Sequence, residues 1–194
     1  EPHEGGGPIR LETLPVMISG RLRRNEEIDR YLFTATHSGA VTCTLWARRI
    51  GSNFRGVLEV RDAKGKLLAH CADTTGHDLS LTFGVEKDQG YSIRVRELDF
   101  RGHRSYVYRL GVRDGGRVLA TLPASVRRGS RPKLLVRIAT GNGTTRLVPH
   151  GISIAPDAPA TVPLGLDGLS YTLPVSDLPE TTESELRAGS TGGP

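Results

Sequence analysis

Several residue types that mark particular protein classes are scarce in this sequence. Its 194 residues include 2 Cys, 1 Met and 1 Trp, and aromatic residues make up only 5%. No apolar run approaches the ~18 residues that a transmembrane helix needs, so we predict no membrane insertion. The first residues, 1–7 (EPHEGGG), lack the apolar core of a signal peptide, and any export signal is therefore expected outside this segment.

Patterns that assemble catalytic groups are also missing. The six His residues form no His-Glu-x-x-His pattern, and no Gly-x-Ser-x-Gly is present. Ser130 and Lys133 match Ser-x-x-Lys, but Pro132 between them leads into a β run, whereas that chemistry uses the start of a helix. Residues 141–143 (GNG) are predicted to form a turn with no following helix to bind phosphate. We therefore predict that the chain is not an enzyme.

The two cysteines, Cys43 and Cys71, are too far apart in sequence to act as a Cys-x-x-Cys ligand pair. A disulfide between them would suit an exported protein, but it requires Cα atoms within about 7 Å. Two buried or partly buried thiols are the alternative, because free cysteine is among the most buried residue types. The sequence leaves both possibilities open.

The formal net charge is +5, carried mostly by arginine, which raises the possibility of a nucleic-acid partner. The arginines are scattered through different predicted strands and turns, without a basic block or the aromatic residues of an RNA-binding sheet. We predict a solvated basic surface and no nucleic-acid partner, with an anion-binding patch as the alternative.

Alternation of apolar and polar residues dominates the segment 29–112 and predicts antiparallel strands with one buried face. Two such sheets packed face to face form a sandwich. A single first strand is expected within 9–22, and residues 62–66 and 87–90 are expected to form hairpin turns. The inward side chains are predicted to be Tyr31, Phe33, Ala35, Val41, Cys43, Leu45, Ala47, Leu79, Leu81, Phe83, Val85, Tyr91, Ile93, Val95, Tyr106, Tyr108, Leu110 and Val112.

An ordered series of segments within this region resembles the bacterial pre-peptidase C-terminal domain, and is most similar to copies in large planctomycete surface proteins. The segments are 28–33 (IDRYLF), 47–52 (ARRIGS), 57–62 (VLEVRD), 90–95 (GYSIRV) and 106–110 (YVYRL). The resemblance covers roughly residues 9–114. It implies an all-β, antiparallel, jelly-roll-like β-sandwich that accompanies enzymes without being one. It also implies an extracellular, cell-surface or periplasmic location.

Composition changes along the chain predict four regions. Residues 1–8 are a linker, 9–114 the sandwich, 115–178 a second, smaller β-sandwich-like domain rich in proline, and 179–194 a disordered linker. The best strands of the second domain are predicted at 133–138, 151–154 and 169–175. Both ends of the chain resemble connectors between tandem planctomycete copies, which suggests one repeat of a longer array.

Calcium is the metal that the sequence favours, although no cofactor is certain. Acidic turns containing Asp29, Asp73 and Asp78 supply the oxygen ligands that Ca²⁺ prefers. Some members of the resembled family bind calcium. This chain departs from their acidic pattern, with Arg55 and Ala72 at positions where the family often has aspartate. We therefore expect calcium binding that is weak at most.

Trp46 is the only tryptophan, and alternation places it on a polar face with Thr44 and Arg48. An outward aromatic beside such residues can stack on a sugar or anchor a partner. Alternatively, the second domain or a loop covers it.

Two functions follow as hypotheses. The chain is a non-catalytic module of an exported multidomain protein that binds a polysaccharide, an extracellular protein or a flanking domain, or it is a purely structural spacer repeat.

Overall fold

The computed structural model describes residues 7–166, 169 and 171–178. Within these residues the regular structure consists of β-strands and one 3-10 turn at Arg48–Ile50, and no helix is long and apolar enough to cross a membrane. The linker predicted at 179–194 lies outside the described residues, as does most of the one predicted at 1–8.

The chain divides into two compact units. The first contains the residues up to Gly116 together with Thr140–Thr144, and the second contains Arg117–Ala139 and the residues from Thr145 onward. The strands of the first unit are β1 (Ile9–Arg10), β2 (Val16–Arg21), β3 (Ile28–Thr34), β4 (Gly39–Trp46), β5 (Gly56–Asp62), β6 (Leu67–Ala72), β7 (Leu79–Val85), β8 (Gly90–Glu97) and β9 (Val107–Asp114).

These nine strands form two sheets. The five-stranded sheet has the order β1-β3-β8-β5-β6, and the four-stranded sheet has the order β2-β9-β4-β7. All neighbours are antiparallel except β1 and β3, which are parallel. From β1 to β9, consecutive strands lie in different sheets except for β5 and β6. Strands β2 to β9 therefore have the order of a jelly roll, which confirms the predicted fold class.

The two sheets bury one hydrophobic core between them. Residues of β3 and β7 meet there, with the Phe33 ring 6.4 Å from the Phe83 ring and 5.5 Å from the Tyr91 ring. The predicted inward face is confirmed at most positions, whereas Leu79, Leu81 and Tyr106 are only partly buried against the core. Alternation in the sequence therefore identified which side of each strand is buried.

Two predictions about the connections are wrong. The segment 9–22 is not one strand, because β1 pairs with β3 in one sheet and β2 pairs with β9 in the other. Pro15, which has no N–H to donate, immediately precedes β2. The turn at 87–90 is not a hairpin within a sheet, since it carries the chain from β7 to β8 in the opposite sheet, and Asp88 has the positive φ of 63°.

A polar bridge crosses the interior of the sandwich between β9 and β3. The Tyr108 hydroxyl donates to the Asp29 carboxylate and lies 2.7 Å from the Tyr31 hydroxyl. Gly20 makes room for Tyr108, its neighbour across the β2–β9 pair, because a Cβ at position 20 would lie 2.2 Å from the Tyr108 ring. A strand position without a side chain thus lets a buried tyrosine reach the opposite sheet.

The second unit contains two three-stranded sheets, β10-β12-β13 and β11-β15-β14. Its strands are β10 (Arg117–Leu122), β11 (Val126–Arg127), β12 (Lys133–Gly141), β13 (Thr144–Gly151), β14 (Thr161–Pro163) and β15 (Thr172–Ser176), except that the residues of β12 and β13 within Thr140–Thr144 are counted with the first unit. Its core residues are Val118, Val126, Leu134, Val136, Ile138, Ile154, Ala158, Leu164, Leu166, Leu173 and Val175.

The strand predicted at 133–138 lies within β12, and the one predicted at 169–175 is shortened to β15. The prediction of a strand at 151–154 is wrong. β13 ends at Gly151, and the amides of Ile152 and Ile154 donate to the carbonyls of Pro132 and Ser130. Pro132 has no N–H to return such a bond, so this segment does not form a regular ladder.

Candidate functional site

The outer side of the four-stranded sheet carries Trp46 and Thr44 together, as alternation predicted. Thr44 lies opposite Ser80 on one side and Gly111 on the other, and Trp46 lies opposite Arg109. Gly111 lets Met17 approach Thr44, because a Cβ there would lie 2.8 Å from the Thr44 Oγ1 and 3.1 Å from the Met17 Cε. We call Met17, Thr44, Trp46, Ser80 and Arg109 the Trp46 face.

Two arginines lie against the Trp46 ring. The guanidinium carbon of Arg49 is 4.9 Å from the ring centroid, and that of Arg109 is 5.6 Å away. Each contact contributes about 0.5–1 kcal/mol at an exposed site. The indole is half-buried and Met17 is 44% exposed. This surface therefore offers an aromatic ring, an apolar side chain, hydroxyls and positive charge in one area.

Arg48 does not join this face, contrary to the prediction from alternation. Strand β4 ends at Trp46 because the Asp78 carboxylate accepts the amides of Ala47 and Arg48 at 2.8 and 2.9 Å. The chain then enters the 3-10 turn, and the Arg48 Nε lies 3.3 Å from the Asp73 Oδ2. Arg48 therefore binds Asp73 in the loop at 73–78, which we call the acidic loop.

Sequence analysis missed the two arginines that do flank Trp46. The outward orientation of Arg109 could be predicted, because Arg109 alternates with the inward Tyr108. Its position beside Trp46 depends on the β4–β9 register, which local sequence does not specify. The position of Arg49 could not be predicted from local sequence, since it depends on where β4 ends. That end depends on Asp78, which is distant in the sequence.

The acidic loop is held together by its own carboxylates. The Asp73 Oδ1 accepts the amides of Thr75, Gly76 and His77 at 3.2, 2.5 and 2.9 Å. Burial would raise the pKa of Asp73, but the bonds from His77 and Gly76 and the charge of Arg48 lower it below its ordinary value. Asp73 and Asp78, the two predicted calcium ligands in this loop, therefore both accept hydrogen bonds from the protein itself.

Asp78, the second of these, also pairs with the Arg49 guanidinium. Burial would raise its pKa, but the Ala47 amide and the two arginines lower it. Asp29, the third predicted ligand, instead accepts from Tyr108, and burial raises its pKa to about 6. Within the described part of the chain, no group of three or more His, Cys, Asp or Glu side chains is placed to hold a metal ion.

Both cysteines are thiols. Cys43 is fully buried in β4, and Cys71 in β6 packs against the same core from the opposite sheet. Burial, and then the neighbouring Cys71, raise the pKa of Cys43. A buried thiol that resists ionisation is a poor nucleophile and a poor metal ligand, so Cys43 acts as a core residue.

Ser130 and Lys133, which match Ser-x-x-Lys, do not form a nucleophile and base. The Ser130 hydroxyl donates to the Arg127 carbonyl at 2.5 Å, as in an ordinary turn, and Lys133 opens β12 as an exposed residue. The segment 141–143 is the turn between β12 and β13, as predicted, with positive φ at all three residues.

No protein-family model matches the chain, and no curated protein matches its sequence. Among solved structures, the pre-peptidase C-terminal domain of collagenase from Bacillus anthracis is similar to it at 16% identity and a TM-score of 0.45, covering 57% of this chain and 99% of that one. PliG of Aeromonas hydrophila, a periplasmic inhibitor of g-type lysozyme, is similar at 13% identity and a TM-score of 0.42, covering 55% and 94%.

The EclA C-terminal domain, a sugar-binding protein, is similar at 17% identity and a TM-score of 0.32, covering 53% of this chain and 81% of that one. These identities and TM-scores are too low to assign the chain to any of the three families.

Proposed function

We propose that the chain is a non-catalytic binding module of an exported multidomain bacterial protein, and that it holds a polymer through the Trp46 face. The observation that carries the proposal is the half-buried indole on the outer side of the four-stranded sheet, beside an exposed Met17 and the Thr44 hydroxyl. The resemblance of segments 28–110 to the pre-peptidase C-terminal domain supports the exported, multidomain context.

The chemistry of the Trp46 face fits a polysaccharide. The apolar face of a sugar ring stacks on an aromatic side chain, while its hydroxyls bond to neighbouring polar groups. Thr44 supplies a hydroxyl, and Arg109 supplies guanidinium donors within the same area.

A pull-down with insoluble polysaccharides and fibrillar collagen tests the proposal. The wild-type chain should be retained by one ligand class, and Trp46→Ala should weaken that binding by at least about thirtyfold, the loss of ~2 kcal/mol expected for a central aromatic contact. Bound polymer should also change the fluorescence of Trp46, the only tryptophan.

Phe100→Ala is the matched control. Phe100 is also an exposed aromatic residue under an arginine, with the Arg96 guanidinium carbon 4.3 Å from its ring, but it lies outside the Trp46 face. The Phe100→Ala variant should bind the polymer as the wild type does. A wild-type chain that is retained by no polymer would support a structural spacer instead, and equal losses in the two variants would remove Trp46 as the site.

A further inference from the structure

A second surface, on the outer side of the five-stranded sheet, gathers arginines that are distant in sequence. Arg30 of β3 lies directly opposite Arg94 of β8, and Arg94 lies opposite Glu59 of β5. Arg10 of β1 lies opposite Leu32 in the adjacent row. These side chains face outward, because the residues that alternate with them in β3, β5 and β8 belong to the core.

A cavity of about 370 Å³ opens over this surface. Three arginines, Arg10, Arg30 and Arg94, line it together with the hydroxyl residues Thr34 and Ser92, and we call it the arginine cleft. Apolar lining comes from residues such as Leu32 and Pro8. The cleft thus combines positive charge and hydroxyls with an apolar surface.

The described residues do not pair the positive charges of the arginine cleft. Within the described residues, its three arginines make no ion pair, and the Nε of Arg94 is buried without a hydrogen-bond partner. Glu59, the acidic neighbour of Arg94, instead lies 3.1 Å from Arg61 and 3.5 Å from Arg96.

Asp62 is the acidic residue in the lining, and its Oδ1 is already occupied. It accepts the amides of Lys64 and Lys66, both at 2.9 Å, and so stabilises the β5–β6 turn. The positive charges of Arg30 and Arg94 repel each other, since like charges directly opposite on neighbouring strands are destabilising. The pKa of Arg94 is lowered accordingly, first by burial and then by the charges of Arg30 and Arg61.

We propose that the arginine cleft binds a carboxylate or sulfate group of an acidic polysaccharide. An oxyanion there would pair with the guanidinium groups of Arg30 and Arg94, and guanidinium groups bind such anions in charge-assisted geometry. Thr34 and Ser92 would then meet sugar hydroxyls. A nucleic acid fits less well, because the aromatic lining residues, Phe33 and Tyr91, are buried and offer no ring for a base to stack on.

The cleft lies on the opposite sheet from the Trp46 face, so the two proposals can be tested separately. Matched probes isolate the anion: dextran sulfate against dextran, and polygalacturonate against its methyl ester. The full chain should bind the charged member of each pair and ignore the neutral member in biolayer interferometry at 150 mM NaCl. Arg30→Gln and Arg94→Gln should each weaken binding by about tenfold.

Arg104→Gln is the charge-matched control, because it removes one positive charge from an exposed position of the same unit outside the cleft. It should change the affinity less than twofold, and so should Trp46→Ala. Thermal melts establish that the variants are folded, and Arg30→Gln should be at least as stable as the wild type because it removes a like-charged neighbour.

Several results would overturn the proposal. Equal losses in Arg104→Gln and Arg30→Gln would show that binding follows net charge alone. Unchanged binding in both cleft variants, or lost acidic-polymer binding in Trp46→Ala, would place the site elsewhere. A single-stranded oligonucleotide that binds more tightly than both polysaccharides, with the same dependence on Arg30 and Arg94, would identify nucleic acid as the ligand instead.

Discussion

Replacing Asp29 with Asn should stabilise the first unit at pH 8 and have a smaller effect, about a third as large, at pH 4.5. The Asp29 carboxylate accepts from the buried Tyr108 hydroxyl, and burial, opposed only in part by that bond, raises its pKa from 3.8 to about 6. Burial also raises the pKa of Tyr31 to about 12 and that of Tyr108 well above its ordinary value, so both hydroxyls stay protonated. At pH 8 Asp29 is thus the one charged member of this bridge.

The sign of the effect follows from proton binding. Between about pH 4 and pH 6 the folded state holds a proton on Asp29 that the unfolded state has released, so the free energy of unfolding falls as pH rises through this range. A rise of about two pKa units corresponds to at most about 3 kcal/mol. Because Asp29 is only half-buried and solvent screens its charge, we expect a gain of about 1–2 kcal/mol for the neutral Asn at pH 8.

Urea denaturation followed by tryptophan fluorescence measures this gain, since Trp46 is the only tryptophan and lies in the first unit. With a slope of about 1–2 kcal/mol per molar urea, the midpoint of Asp29→Asn should rise by about 1 M at pH 8. Asp88→Asn makes the same change at an exposed position and should leave the midpoint unchanged at both pH values. A gain of equal size at pH 4.5 and pH 8, or a loss at pH 8, would refute the reasoning.

Two further predictions use the same unfolding assay, and a third uses thermal melting. Phe33→Asp should cost at least about 3 kcal/mol because it places a carboxylate in the aromatic core, whereas Thr34→Asp, on the exposed side of the same strand, should cost about 0.5 or less; similar costs would contradict the assigned faces. Arg48→Gln should cost about 1–2 kcal/mol because it removes the charged partner of Asp73, which is 3% exposed, and Arg104→Gln should match the wild type. Melting curves in 5 mM CaCl₂ and in chelator should differ by about 1 °C or less, because N–H donors and arginines occupy the carboxylates of the acidic loop, and a shift of several degrees would show that calcium binds.

Local alternation predicted which faces are buried but not which strands are neighbours. Phe33 and Trp46 could be assigned to the core and to the outer face, because side chains on a strand alternate with period two. Splitting of the segment 9–22 between two sheets could not be predicted from alternation, which describes each strand by itself and not its partner. It depends on pairing with β3 and β9, which follow later in the chain.

The candidate sites show the same division. Thr44 and Trp46 could be placed together because they are two residues apart on one strand. The arginines appear scattered in the sequence, but strand pairing brings Arg30 and Arg94 to directly opposite positions. Arg48 was misplaced because Asp78, about 30 residues away, captures the amides at the end of β4. Sites that one strand supplies are therefore predictable here, whereas sites that need a register are not.

The close fit of Gly20 against Tyr108 predicts how sequences related to this one should vary. A residue larger than glycine at position 20 should occur only with a small residue at 108, because a Cβ at 20 would overlap the tyrosine ring. Loss of the Tyr108 hydroxyl should in turn occur with an uncharged residue at 29, since the carboxylate would lose its buried donor. Positions 20, 29, 31 and 108 should therefore co-vary although they lie on three different strands, and independent variation at these positions would contradict this expectation.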